Sequence, residues 1–190
     1  LKKNNSIQKK NLLKGQSIVD GFGSLRVAEI LYPSKFKFSK IYKAKIDDCI
    51  TYYNWFNDST NIKNSIIQKK TNIENHISWF KKKLNSKFSN LFILKIGGLP
   101  VGQIRFEKNA KCTLIDYYLD EIVRKRGWGK KILLSGIKKM NFKKNTVLRG
   151  QVRKNNYPSI KVFLKLGFKL IKKDNNFIFF EIKSNKITYR

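Results

Sequence analysis

Apolar positions along the chain fall into two periods. Leu91 to Ile96 and Val101 to Phe106 are short apolar runs on either side of Gly97-Gly98-Leu99-Pro100, the pattern of two strands joined by a hairpin turn. Phe36 to Ile46 alternates loosely through Phe36, Phe38, Ile41 and Tyr42 and predicts a first strand. Cys112 to Leu119 and Asn145 to Val152 predict two more, and Phe168 to Ile171 with Phe177 to Ile182 a final hairpin. Elsewhere the spacing is helical. Asp47-Asp48 opens a helix bearing Ile50, Tyr53, Trp55 and Phe56, with the acidic pair at its positive end, and Asn57-Asp58-Ser59 stops it. Ile62 to Lys70 is expected to be a connecting segment. Thr71 or Asn72 then caps a helix running to Leu84, with Glu74 three residues after Thr71. Ile132, Leu133, Leu134, Ile137 and Met140 mark one face of a third helix, and Tyr157 to Leu166 a fourth, closed by Gly167. The order is strand, two helices, three antiparallel strands, helix, strand, helix, two strands. Near the N-terminus an Asp20-Gly21-x-Gly23 turn precedes one short helix, Leu25 to Leu31.

Composition narrows the class. A length of 190 residues with 41% hydrophobic positions suits one domain with a full core and a short extra segment. No apolar run approaches the ~20 residues of a membrane span, and no charged-then-apolar leader is present. Cys49 and Cys112 lack metal spacing and are expected to be free thiols in a reducing cytoplasm; no metal site is expected. The formal net charge of +30 would suit a nucleic-acid binder. The positive residues, however, are nearly all Lys, spread along the whole chain, and Asn, Ile and Phe are also abundant. All four have A/T-rich codons, so we favour compositional bias over a nucleic-acid footprint. A basic surface still attracts small polyanions.

The stretch Arg124 to Lys131, RKRGWGKK, lies between the Leu114–Leu119 strand and the third helix. Gly127 and Gly129 let the backbone turn tightly and approach a ligand. The amides of such a turn and the first free N–H groups of the helix form a cradle for phosphate oxygens. A solvated basic turn that happens to hold two glycines is the plainer alternative. A second stretch, Val152 to Phe168, gives a strand end, Asn156, and a short amphipathic helix closed by Leu166-Gly167-Phe168.

Together these stretches resemble the GNAT superfamily of acetyl-CoA-dependent N-acetyltransferases. Arg124, Gly127 and Gly129 meet its [QR]-x-x-G-x-[GA] motif, and Asn156, Ser159, Phe163, Leu166, Gly167 and Phe168 occupy the later places. The resemblance covers about 36–182. It implies an α/β (α+β) fold with a mixed, mostly antiparallel sheet of about six to seven strands and about four flanking helices. It divides the chain into an N-terminal tail (1–35), an acetyltransferase domain (36–184) and a C-terminal tail (185–190). The succession DD…YNWFND…HISWFKKKL is similar to the subgroup that acetylates nucleotide-linked amino sugars, as in pseudaminic acid biosynthesis. Residues 1–33 resemble the C-terminal end of the nucleotide-sugar hydrolase of that pathway, which would make the chain the back part of a fusion joined near Tyr32-Pro33-Ser34.

The resemblance implies acetyl transfer from acetyl-CoA to an amine by direct attack on the thioester. Leu119, Arg124, Lys125, Arg126, Gly127, Trp128, Gly129, Lys130, Asn156, Ser159 and Phe163 would contact the cofactor. Asn57, His76 and Trp79 would contact the acceptor. Phe163 stands where many members carry a Tyr that protonates the leaving thiolate, so the acid is open; Tyr117 and Tyr118 are the nearest candidates by strand order. For the base, the only histidine, His76, and Asp116 are both candidates, and a packing role for His76 is the alternative. The expected acceptor is the amino group of a nucleotide-linked amino-deoxy sugar. The alternatives are a protein N-terminus or ribosomal protein, a basic nucleic-acid-binding module, and a GNAT domain that has lost turnover.

Overall fold

The computed structural model describes residues 23–31 and 38–188. Seven strands form one sheet in the order β1-β2-β3-β4-β5-β7-β6. They are β1 (Ser39–Lys43), β2 (Ser89–Ile96), β3 (Leu99–Lys108), β4 (Thr113–Leu119), β5 (Val147–Arg153), β6 (Lys169–Lys173) and β7 (Phe177–Lys183). Every neighbouring pair is antiparallel except β4 and β5, which run parallel. The α-helices are α1 (Gly23–Leu31), α2 (Cys49–Phe56), α3 (Ser59–Asn64), α4 (Ile73–Asn85), α5 (Trp128–Met140) and α6 (Tyr157–Lys165).

The strand period of two sorts side chains onto two faces. On one face Phe92, Leu94, Ile104, Phe106, Ile115, Leu148 and Phe180 pack beneath α5 and α6 with Trp128, Ile132, Leu133 and Phe163. On the other, Leu91, Ile93 and Tyr118 pack with Tyr52, Trp55 and Phe80 of α2 and α4. We call these the α5 face and the α4 face.

Local chemistry sets the helix ends. Asn72, rather than Thr71, caps α4 by accepting from the Asn75 amide at 2.9 Å. At the end of α6, Gly167 takes φ +87°. The Phe168 N–H then reaches Phe163 O (3.1 Å) and the Gly167 N–H reaches Leu164 O (3.0 Å). This is the Schellman arrangement, completed by edge-to-face contact of the Phe163 and Phe168 rings.

Two expectations change. Helix α3 runs from the expected stop at Asn57-Asp58-Ser59 into the expected connecting segment Ile62 to Lys70, because Asp58 accepts from the Asn61 amide and caps a new helix where the previous one stops. Helix α5 begins at Trp128, inside the glycine stretch, because Gly127 at φ +84° completes the turn before it. Helix α1 and Ile187 pack on the rest of the fold. The Trp128 indole N–H donates to Ile30 O of α1 (3.1 Å), and Ile187 is buried in the α5-face core. The expected Asp20-Gly21-x-Gly23 turn, apart from Gly23, and the fusion joint lie outside the described residues.

Candidate active site

The sheet opens at its parallel pair. Pairing of β4 with β5 covers only Thr113–Ile115 against Leu148–Gly150. Beyond it β4 continues to Leu119 and β5 to Arg153, with β5 still paired to β7. The β4 edge from Asp116 to Leu119 therefore faces a wedge rather than a strand. At the wide end of the wedge the chain turns through Lys125 (φ 61°) and Gly127 into α5. Among the described residues, the turn and cap hydrogen bonds leave the amides of Arg126 to Gly129 without a backbone acceptor. Such amides at a helix N-terminus suit an anion. Helix α6 closes the turn from the side: a Cβ added at Gly129 would stand 3.0 Å from Val162 Cγ2 and 3.7 Å from the Tyr117 hydroxyl.

Tyr117 and Tyr118 are consecutive on β4 and so point to opposite faces. Tyr117 joins the α5-face core, and its phenol donates to Ser159 Oγ at 2.9 Å. Burial pushes its pKa up to about 12, so it is a neutral donor near pH 7. Asn156 caps α6 by accepting from the Ser159 amide (3.3 Å), so one short motif places both ends of this contact. Tyr118 lies on the α4 face, where burial also raises its pKa.

There, Thr51, Asn54, Trp55, Asp58, Pro100, Tyr118, Asp120 and Glu121 line an open cleft of about 400 Å³. Asp120 accepts from the Trp55 indole at 3.1 Å. Two residues before Tyr118 on the same face, Asp116 is the first β4 residue past the last β5 pair. Gln103 Nε2 donates to its Oδ2 at 3.2 Å, and Arg105 lies 3.5 Å from the same oxygen. Its side chain is 55% exposed.

Several expected site residues are committed elsewhere. Asn57 uses both ends of its amide on the Thr71 backbone, at 2.9 and 3.1 Å, and closes the loop between α2 and α4. Trp128 and Phe163 are core residues, fully buried or nearly so; only the Trp128 amide remains for a ligand. Trp79 lies under the Arg105 guanidinium (5.2 Å), one step removed from Asp116. Arg124 turns its guanidinium toward the α4 face rather than the glycine turn.

His76 is no reacting group. It is 2% exposed and surrounded by the rings of Tyr53, Phe56, Trp79 and Phe80 at 5.3–6.0 Å. Burial lowers its pKa from the ordinary 6.5, against a backbone hydrogen bond at Cys49. The unfolded chain thus takes up this proton before the folded one as the pH falls. Stability is complete above pH 6.5 and is lost below it, by at most about 1.4 kcal/mol per pH unit, until the buried imidazole itself protonates. Denaturant titrations between about pH 5 and 7 should show this slope, and His76→Phe should abolish it.

The sequence reading left Asp58, Asp120 and Glu121 out of the site. Their signal was weak, since each also looks like a helix or turn cap, as Asp58 and Asp120 are. A better clue was scarcity: the chain has only 12 acidic residues, and three of them line this cleft.

The acetyltransferase (GNAT) family model matches residues 50–168, more than half of the chain. The chain belongs to this family and is an N-acetyltransferase by class. Acetyl-CoA is the family's co-substrate. Solved structures share the fold at low identity. An N-acetyltransferase from Staphylococcus aureus Mu50 is 22% identical with a TM-score of 0.63, covering 77% of this chain and 98% of that one. The spermidine N-acetyltransferase of Vibrio cholerae, solved with CoA and spermine, is 9% identical with a TM-score of 0.68 over 80% and 98%. yncA from Salmonella typhimurium, solved with its cofactor acetyl-CoA, is 14% identical with a TM-score of 0.63 over 78% and 95%. No curated protein matches significantly. No helix among the described residues is long and apolar enough to cross a membrane.

Proposed function

We propose that this chain transfers the acetyl group of acetyl-CoA to a primary amine bound in the cleft beside Trp55 and Tyr118. The observation that carries this reading is the wedge between β4 and β5, with its unpaired β4 edge and the open amides of the glycine turn. These groups fit the donor. The amides of Arg126 to Gly129 would hold its pyrophosphate, and the Leu119 end of β4 would meet the pantetheine arm. Bound acetyl-CoA supplies the activated acyl group. The chain's own part is to align the amine and move its protons. Asp116, on the α4 face, accepts the proton released from the amine. Tyr117, on the α5 face and joined to Ser159, serves the donor side. We place the catalytic domain at about 36–184, with α1 docked on it.

For the acceptor, the YNWFND and HISWF segments support the amino group of a nucleotide-linked amino-deoxy sugar. The lysine-rich chain would tolerate its diphosphate. A second reading, a small polycationic amine, is favoured by the carboxylates of Asp58, Asp120 and Glu121 in the cleft.

Calorimetry with acetyl-CoA at moderate salt tests the donor half. Gly129→Glu should weaken binding at least tenfold, because its side chain would press on Val162 and bring a carboxylate to the phosphates. Absence of binding by folded wild-type protein would refute the proposal. Amino-sugar nucleotides and diamines, assayed by release of free CoA, then separate the two acceptor readings.

A further inference from the structure

Arg124 occupies the first position of the glycine motif, yet its side chain serves the opposite side of the sheet. Its Nε donates to Leu119 O at 2.8 Å. One terminal nitrogen donates to Asp58 Oδ1 at 3.0 Å and to the Tyr118 hydroxyl at 2.9 Å. The guanidinium also lies over the Tyr118 ring, 5.1 Å from its centre. A guanidinium is a planar fork, and this one is fixed at both ends. Asp58 Oδ1 in turn accepts from the Asn61 amide at 2.9 Å, so one carboxylate oxygen carries two hydrogen bonds. That fixes the plane of the carboxyl group. Asp58 lines the cleft, with Tyr118 beside it and Trp55 5.7 Å from the Tyr118 ring.

We infer that Arg124 is a positioning residue for the acceptor: it holds Asp58 and Tyr118 as one rigid wall, so that the second oxygen of Asp58 is presented to the ammonium of a cationic amine. The inference rests on the acetyltransferase reading and selects the polycationic class of acceptor within it. Three observations support the selection. The wall carries a carboxylate whose orientation is set from behind. Asp120 and Glu121 line the same cleft. Finally, the arginine that could have bound a phosphate group of the acceptor is already engaged by Asp58 and Tyr118.

Arg124→Gln discriminates sharply, because the family motif accepts Gln at this position. A donor-binding role would survive the change, whereas a neutral, shorter side chain cannot hold Asp58 and Tyr118 together. The probe acceptor is 1,4-diaminobutane. We expect Arg124→Gln and Asp58→Asn each to raise its KM at least tenfold. Acetyl-CoA affinity by calorimetry should stay within about twofold and kcat within about threefold. The double variant should be no worse than the single ones, since both remove one device. Circular dichroism checks folding, and Asp58→Asn, which keeps the helix cap, gives the answer alone should Arg124→Gln not fold. A tenfold loss of acetyl-CoA affinity in Arg124→Gln would make it a donor ligand and overturn the inference. So would an unchanged KM in Asp58→Asn. Wild-type protein that binds acetyl-CoA but leaves 1,4-diaminobutane unacetylated also overturns it, with the acetyltransferase reading intact. Failure to bind acetyl-CoA removes the reading on which it rests.

Discussion

Replacing Asp116 by Asn is expected to lower kcat about a hundredfold while leaving acetyl-CoA affinity unchanged. The reason is position. An amine reaches a family member's thioester as an ammonium near pH 7 and must lose a proton before it can attack. Asp116 is where β4 parts from β5, and strand alternation puts its carboxylate on the α4 face, the face of Tyr118 two residues on. Gln103 and Arg105 hold one oxygen, and more than half the side chain meets solvent, which can carry the proton away. Asn keeps the shape and the Gln103 contact but cannot accept the proton. Steady-state kinetics with calorimetry check both halves. A kcat within threefold of wild type would hand the task to water.

The second large effect is on stability. Gly150→Ala should cost about 3 kcal/mol. Phe163 lies flat on the Gly150 backbone, and an added Cβ would fall 2.4 Å from two of its ring carbons. The ring cannot step aside, because it stacks on Phe180 at 5.4 Å and meets Phe168 edge-on at 4.9 Å. Helix α6 would have to rise off β5, which also shifts Val162 and Ser159 beside the glycine turn. Thermal melting should fall by roughly 6–12 °C. Gly150→Ala with Phe163→Leu should recover part of the loss, since the branched side chain leaves room above residue 150. A Gly150→Ala protein as stable as wild type would mean that the ring has somewhere else to go.

Most of the fold was legible because it is local. Period-two runs gave the strands, and Asn, Asp and Gly at helix ends gave the boundaries within a few residues. The glycine turn and the capped helix after Asn156 were legible for the same reason: Arg124 to Gly129 and Asn156 to Phe168 are short continuous segments. The proposed acceptor half was not. Its cleft joins residues 51–58, 100 and 118–121, and nothing in the sequence says that Arg124 should turn to Asp58, 66 positions away, rather than to a phosphate. For His76, base, acceptor contact and packing all stood open, although a local signal favoured packing. Ile73, His76, Ile77 and Phe80 share one helical face, which places the imidazole among apolar neighbours. Phe163 is a different case. The motif places it on α6, but its contacts depend on Gly150 and Phe180, which only the folded sheet brings under it.

The alternation of β4 also bears on how such a chain can change over generations. Ile115 and Tyr117 face the main core beneath α5 and α6, whereas strand alternation puts Leu114, Asp116 and Tyr118 on the α4 face. Under the proposed function, drift on the α4 face acts on Tyr118 of the acceptor wall and on Asp116, the proton acceptor, and leaves the α5-face core untouched. Drift at Ile115 and Tyr117 disturbs the packing of α5 and α6 and, under the proposed function, the donor side with it. Selection for a new acceptor therefore has a short list of places to act, and the rest of the strand is under a separate, stricter constraint.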